Sequence, residues 1–228
     1  MYKKLTTMKY IFKYIVFVIA FKLNSQTTVT DVSGNIYKTV KIGNQIWMAE
    51  NLRTEKFRNG DPIEQITSSR YWLEISSLSI QEKAWENHNP AMCYYDNIKQ
   101  KDNALYNWYV VVDERGICPT GFHVPSSEEY DELISYLGKD STALNKLKST
   151  TSWLLNGNNL SGFNAKAIGM RYGDANFGDK GEFTAFWTDS YSINDVWFSP
   201  ESFNLSVPLN TNETFVPNSG YSVRCIKN

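Results

Sequence analysis

The stretch "CPTGFHVPSSEEYDEL" occupies residues 118–133. Its reading decides how the rest of the chain is understood. Pro119-Thr120-Gly121 is bend chemistry, and Phe122-His123-Val124 reads as a short strand. After Pro125 the pattern switches to a helix. Ser126 is placed as the N-cap and Glu129, three residues on, as its capping-box partner. Tyr130, Leu133, Ile134 and Leu137 then fall on one face at helical spacing, and Gly138 supplies a left-handed stop. The same stretch holds Cys118, His123 and Ser126, which invites a nucleophile reading. The cap already accounts for Ser126. His123 reads as a hydrogen-bonded orienting residue, and His88, the other histidine, as part of an Asn-Pro loop. The chain has no G-x-S-x-G, H-E-x-x-H, C-x-x-C or phosphate-loop motif. The expectation is therefore a protein that is not an enzyme.

Working outward, "NIYKTVKIGNQIWMAENL" (35–52) sets two β-branched and aromatic runs around Gly43-Asn44, a hairpin signal. Residues 53–90 read as irregular, with a turn at Asn59-Gly60-Asp61-Pro62. "ALYNWYVVVD" (104–113) is apolar throughout, and periodicity leaves it open between buried strand and short helix. A second helix is expected around Ala143–Lys148. Beyond residue 150 the chain is rich in Gly, Asn, Ser and aromatics, which suits short strands and turns. "GYSVRCIKN" closes it as an alternating strand. The pattern is that of one α+β domain with few helices and many loops.

The first 25 residues differ in kind. They carry five lysines and no acid, with a short apolar run at residues 14–21. This is the layout of a signal peptide, and the run is too short to span a bilayer. Its removal leaves 18 basic and 24 acidic side chains, a net charge of −6. Such a surface does not attract nucleic acid or anionic lipid, and no further transmembrane span is visible. The expected location is secreted, periplasmic or cell-surface. Export permits disulfides. Cys93, Cys118 and Cys225 allow three pairings, each leaving one thiol over.

The ordered set "TVKIGNQIWMAENLR", "ALYNWY", "CPTGFHVPSSEEYDEL", "SGFNAKAIGMRY", "FWTDS" and "GYSVRCIKN" resembles the Fibrobacter succinogenes major paralogous domain, a family of exported bacterial proteins. The resemblance runs from Val29 to Asn228. It divides the chain into a signal peptide (1–25), a leader (26–34) and one domain (35–228). More loosely, "HVPSSEEY" and "GYSVRC" resemble segments of the C-type-lectin-like fold, which includes the formylglycine-generating and sulfatase-modifying proteins. That likeness implies small twisted antiparallel sheets, about two helices, adjacent chain ends and long loops bearing the binding surface. It also implies a bridge between a cysteine opening the first helix and one on the final strand, here Cys118–Cys225, with Cys93 free. A copper-dependent oxidase of this fold uses two nearby late cysteines, whereas Cys225 is the one late cysteine of this chain.

Binding is the expected class, with a glycan or a cell-surface protein as partner. Asp174, Asn176, Asp179, Glu182 and Asp189 lie among glycines in residues 173–189. Oxygen-rich loops of this kind can hold calcium, although the spacing is not that of an EF-hand. Tyr172, Tyr191 and Trp197 offer faces on which a sugar ring can stack. The candidate ligand-binding set is Tyr172, Asp174, Asn176, Asp189, Tyr191 and Trp197, with solvated turns as the competing explanation. The family resemblance implies that Trp187 in "FWTDS" is buried in a strand.

Overall fold

The computed structural model describes residues 27–76, 89–139, 141–189, 195–198, 203–206 and 217–228. The expected signal peptide, His88 and Tyr191 lie outside the described residues. The expected hairpin forms. Strand β2 (Ile36–Ile42) pairs antiparallel with β3 (Gln45–Met48) across Gly43, whose φ of +60° is left-handed backbone. Within the stretch read as a leader, β1 (Thr28–Thr30) adds to the outer edge of β2.

Segment 53–90, read as irregular, contains strand β4 (Glu64–Gln65) and helix α1 (Ser69–Ser76). β4 pairs parallel with β5 (Ala91–Tyr94), which pairs antiparallel with β6 (Ala104–Tyr106). The ambiguous "ALYNWYVVVD" resolves into both alternatives. β6 ends at Tyr106, and Asn107 caps α2 (Trp108–Val111) by accepting the N–H of Val110 on its side chain.

The stretch at 118–133 adopts the elements its residues specify. β7 (Phe122–His123) leads into α3 (Ser127–Leu137), and both halves of the Ser126–Glu129 capping box are made. Tyr130, Leu133, Ile134 and Leu137 face inward, and Gly138 ends the helix at a φ of +126°. α4 (Ser141–Leu147) follows. Four helices are therefore described where about two were expected; α1 and α2 are too short to leave a clear periodic trace. The second half adds the hairpin β8 (Met170–Arg171) and β9 (Phe177–Gly178), then the antiparallel sheet of β10 (Thr184–Trp187), β11 (Asp195–Phe198) and β12 (Phe203–Ser206). β13 (Ile226–Lys227) closes the chain.

The first sheet has the order β1-β2-β3-β13-β7, so the last strand lies between the N-terminal hairpin and β7. The closing segment departs from the alternating pattern expected of it. Residues 218–226 are buried without a break. The reason is topological: this segment has neighbours on both sides and both faces. Tyr221 bridges Tyr106, Gly220 bridges Arg171, Ser222 bridges Phe186, and the carbonyls of Val223 and Cys225 accept from Leu52 and Met48. A segment covered all round need not alternate.

The core is aromatic. Trp47 packs against Tyr130 and Phe163 at centroid distances of 5.0 and 5.5 Å, fastening α3 to the first sheet. Trp187 is buried on β10 as expected. It stacks 4.4 Å from Tyr221 and donates its Nε1–H to the Tyr106 carbonyl at 2.6 Å. Arg224 is 1% exposed and lies between the rings of Phe163 and Phe186. It donates to the carbonyls of Met48 and Phe163 and to Asn51 Oδ1. Burial pulls its guanidinium down to about 10, against attraction from Tyr130 and more distant acids.

Cys118 is bonded to Cys225, a sequence separation of 107, and Cys93 is a free, buried cysteine. Replacing both bridged cysteines by serine is expected to lower the unfolding free energy by about 4 kcal/mol in urea titration, given the long closed loop. Peptide mapping without reductant should recover the Cys118–Cys225 link with Cys93 as thiol. Arg224→Ala leaves three acceptors and a cavity behind, and is expected to cost about 3 kcal/mol or more by the same titration.

Candidate functional site

The candidate site is built around the connection between β5 and β6. Asp96 and Asn97 hold left-handed backbone, with φ of 54° and 57°, which short polar side chains tolerate. Asn103 staples the loop that follows. Its buried side chain accepts the Gln100 N–H at 3.0 Å and donates to the Ile98 carbonyl at 2.8 Å. Three ion pairs tie the loop to its surroundings: Lys99–Glu55 at 2.5 Å, Lys101–Glu50 at 2.6 Å and Asp102–Lys166 at 2.5 Å.

A cleft opens on each side of this loop, and Gln100 and Lys101 line both. The larger, about 570 Å³, has Asp102 and Asn103 on one wall and Ser152, Lys166, Ile168 and Lys180 on the other. That second wall is held by backbone: Gly181 N–H donates to the Ala167 carbonyl at 2.9 Å, and Leu154 N–H to the Gly181 carbonyl at 2.8 Å. The smaller cleft, about 400 Å³, is more polar and is bordered by Ser33, Asn35, Arg53, Glu55, Tyr94 and Lys99. Arg53 lies 4.4 Å over the Tyr37 ring and donates to the Ile36 carbonyl. The Tyr94 hydroxyl donates to Glu55 at 2.7 Å. Burial, and then the bond to Glu55, raise the Tyr94 phenol well above its ordinary range.

The structure divides the candidate set read from the sequence. Tyr172, Asp174 and Asn176 share the turn between β8 and β9. Asp174 accepts from the Asn176 backbone and side chain at 3.0 and 2.9 Å, and the backbone bond foremost holds its carboxyl below the usual range. The Tyr172 hydroxyl donates to Asp179 at 2.5 Å, and that bond, followed by burial, pushes the phenol up to about 12. Asp189 lies elsewhere, its N–H bonded to the Pro125 carbonyl. Partial desolvation and then Glu129 raise its carboxyl, while His123 acts in the opposite sense. Trp197 is on β11, but its side chain, like Tyr191, lies outside the described residues.

His123 has the orienting role its sequence context suggests. Nδ1 lies 2.8 Å from Asn228 Oδ1 and Nε2 3.0 Å from both Glu129 carboxylate oxygens, so it joins the capping box to the chain end. Among the described residues no three His, Cys, Asp or Glu side chains gather to hold a metal. No described helix is long and apolar enough to cross a membrane.

Sequence reasoning missed the cleft. Lys101, Lys166 and Lys180 come from three separate connections, and nothing in their spacing relates them. The ion pairs around the loop carry a pH signature. Glu55 is held below its ordinary 4.5, first by the Lys99 bond and then by Tyr94. Glu50 is also below 4.5: burial opposes this, but Lys101 and the Lys38 N–H outweigh it. Carboxyls depressed in the folded state stabilise it above their ordinary value and lose that contribution as pH falls through the folded one. Amide exchange at residues 98–103 is therefore expected to accelerate relative to the core as pH falls below about 4.5. Glu50→Gln should already raise it at pH 7.

No curated protein and no solved structure matches this chain. A family model does. Residues 40–227 match the Fibrobacter succinogenes major domain, and the chain belongs to that family.

Proposed function

We propose that this protein is an exported bacterial binding module, without catalytic activity of its own, that engages a glycan or a surface protein at the cell exterior. One observation carries the reading: two open clefts meet at a loop pinned by three ion pairs, and loops of the second half supply a wall of the larger one. A rigid frame that presents convergent polar groups and amphipathic side chains in a concavity suits recognition. The disulfide and the N-terminal targeting pattern support export. The few helices, small antiparallel sheets and long loops are compatible with a C-type-lectin-like fold, which displays ligands on its loops.

A structural or assembly role in the envelope is the second reading. The buried position of Cys93 disfavours an intermolecular disulfide as its means, since the thiol is fully covered and burial pushes it up to about 11. A sulfatase-modifying type of oxidase would draw on a redox-active cysteine pair. Cys118 and Cys225 are both buried in the core, which leaves such chemistry little access.

Glycan arrays and isothermal titration with the secreted chain, run beside crosslinking pull-downs from native envelopes, separate the two partner classes. Binding by either route is expected to weaken in Lys101→Ala/Lys166→Ala and to be unchanged in Asp174→Ala/Asn176→Ala. Loss in the second variant alone would return the site to the β8–β9 turn.

A further inference from the structure

An apolar loop adjoins the wall of the larger cleft, and the polar reading does not use it. Residues 149–165 form a loop closed at its base, where Ser149 N–H donates to the Ala165 carbonyl at 2.8 Å. Trp153 turns inward and anchors it, 5% exposed, with Nε1–H donating to the same carbonyl at 2.8 Å and Lys148 Nζ 4.6 Å from its ring centroid. Gly157 packs so closely that a Cβ there would lie 2.5 Å from the Lys148 side chain. The loop is thus fixed in shape, yet Leu154 and Leu155 on it are 71% and 60% exposed. The backbone bond from Leu154 N–H to the Gly181 carbonyl ties this loop to the wall of the cleft, at the residue that follows Lys180. A fixed loop that turns its tryptophan inward and adjacent leucines outward is arranged for contact.

Charge narrows the occupant. Of the cleft lysines, Lys101 and Lys166 already hold Glu50 and Asp102, whereas Lys180 has no carboxylate partner among the described residues and lies over the Tyr95 ring. A polyanion would find few uncompensated cations. Exposed leucines on a loop bonded to Gly181, and the neighbouring Lys180 with no carboxylate partner among the described residues, suit a segment carrying an apolar side chain and a carboxylate close together. A concavity of about 570 Å³ accepts inserted side chains, as a flat bilayer does not provide.

Resting on the binding-module reading, we infer that the partner of this face is a polypeptide, whose apolar side chain packs on Leu154 and Leu155 while an adjacent Asp or Glu pairs with Lys180. The test is selection from a phage-displayed random peptide library on the secreted, disulfide-bonded chain. Binding of the recovered peptides is then measured by fluorescence anisotropy, with folding of each variant checked by circular dichroism. The expected peptides join an acidic residue to an apolar one. Leu154→Glu/Leu155→Glu should weaken them by about tenfold or more. Lys180→Glu should weaken them and flatten their salt dependence. Recovered peptides that lack acids, or that bind both variants as well as the parent, overturn the inference. So does dimerisation of the chain that the leucine variant abolishes in sedimentation, and so does leucine-dependent binding to phosphatidylglycerol vesicles. A glycan-array hit with no peptide binding overturns the polypeptide class and leaves the module reading standing. Silence in peptide, glycan and envelope pull-down assays overturns both.

Discussion

The fold depends on burying its last segment completely. Residues 218–226 run through the middle of the molecule, so each sheet that touches them is positioned by the others. The interaction that makes this possible is the burial of Arg224. A guanidinium in an apolar interior is costly unless its donors are used. Here two backbone carbonyls and Asn51 accept from it, while Phe163 and Phe186 cover its faces. Those acceptors come from the first hairpin and its exit and from the loop after α4. One side chain therefore ties the start, middle and end of the domain together. The next residue, Cys225, adds a covalent tie to the entrance of β7 and α3. Arg224 Nε and Tyr130 Oη are buried without a hydrogen-bond partner among the described residues. The fold thus carries a small polar deficit at its centre.

With the closing segment fixed, the connections shape the surface. The loop between β5 and β6 is held by the side chain of Asn103 and by partly exposed ion pairs. Each such pair contributes little singly, because solvent screens it. Asn103 is the firmer tie, since its side chain is buried. The loop after α4 solves the same problem differently, with an inward tryptophan and a glycine that admits close packing. Both loops are consequently fixed enough to define a concave surface.

The burial of Trp187 followed from family likeness, whereas the capped helix, the hairpin at Gly43 and the turn at Gly60 were all legible in the residues. Each is specified by neighbours a few positions away: a capping box by Ser126 and Glu129, a turn by a glycine with positive φ. Periodicity failed for α1 and α2, which are too short to repeat, and for the closing strand. Residues 220–228 look alternating only if one face is assumed to meet water, and residues 220–226 are buried on both. The Cys118–Cys225 bridge was legible through family likeness, since cysteine spacing leaves all pairings open.

The ligand-binding candidates show the same boundary. Tyr172, Asp174 and Asn176 are close in sequence and prove close in space. Asp189 belongs to a different corner, beside His123 and Glu129. The cleft draws Lys101 and Asp102 from one connection, Ser152, Lys166 and Ile168 from a second, and Lys180 from a third. Local propensity, capping and turn chemistry act over one or two turns of chain and can be read from the residues in order. Which loops come to face each other, and which lysine has no carboxylate partner among the described residues, follows from the path of the backbone through the core. That path was set by long-range burial around Arg224 and Cys225, an interaction that no local pattern encodes.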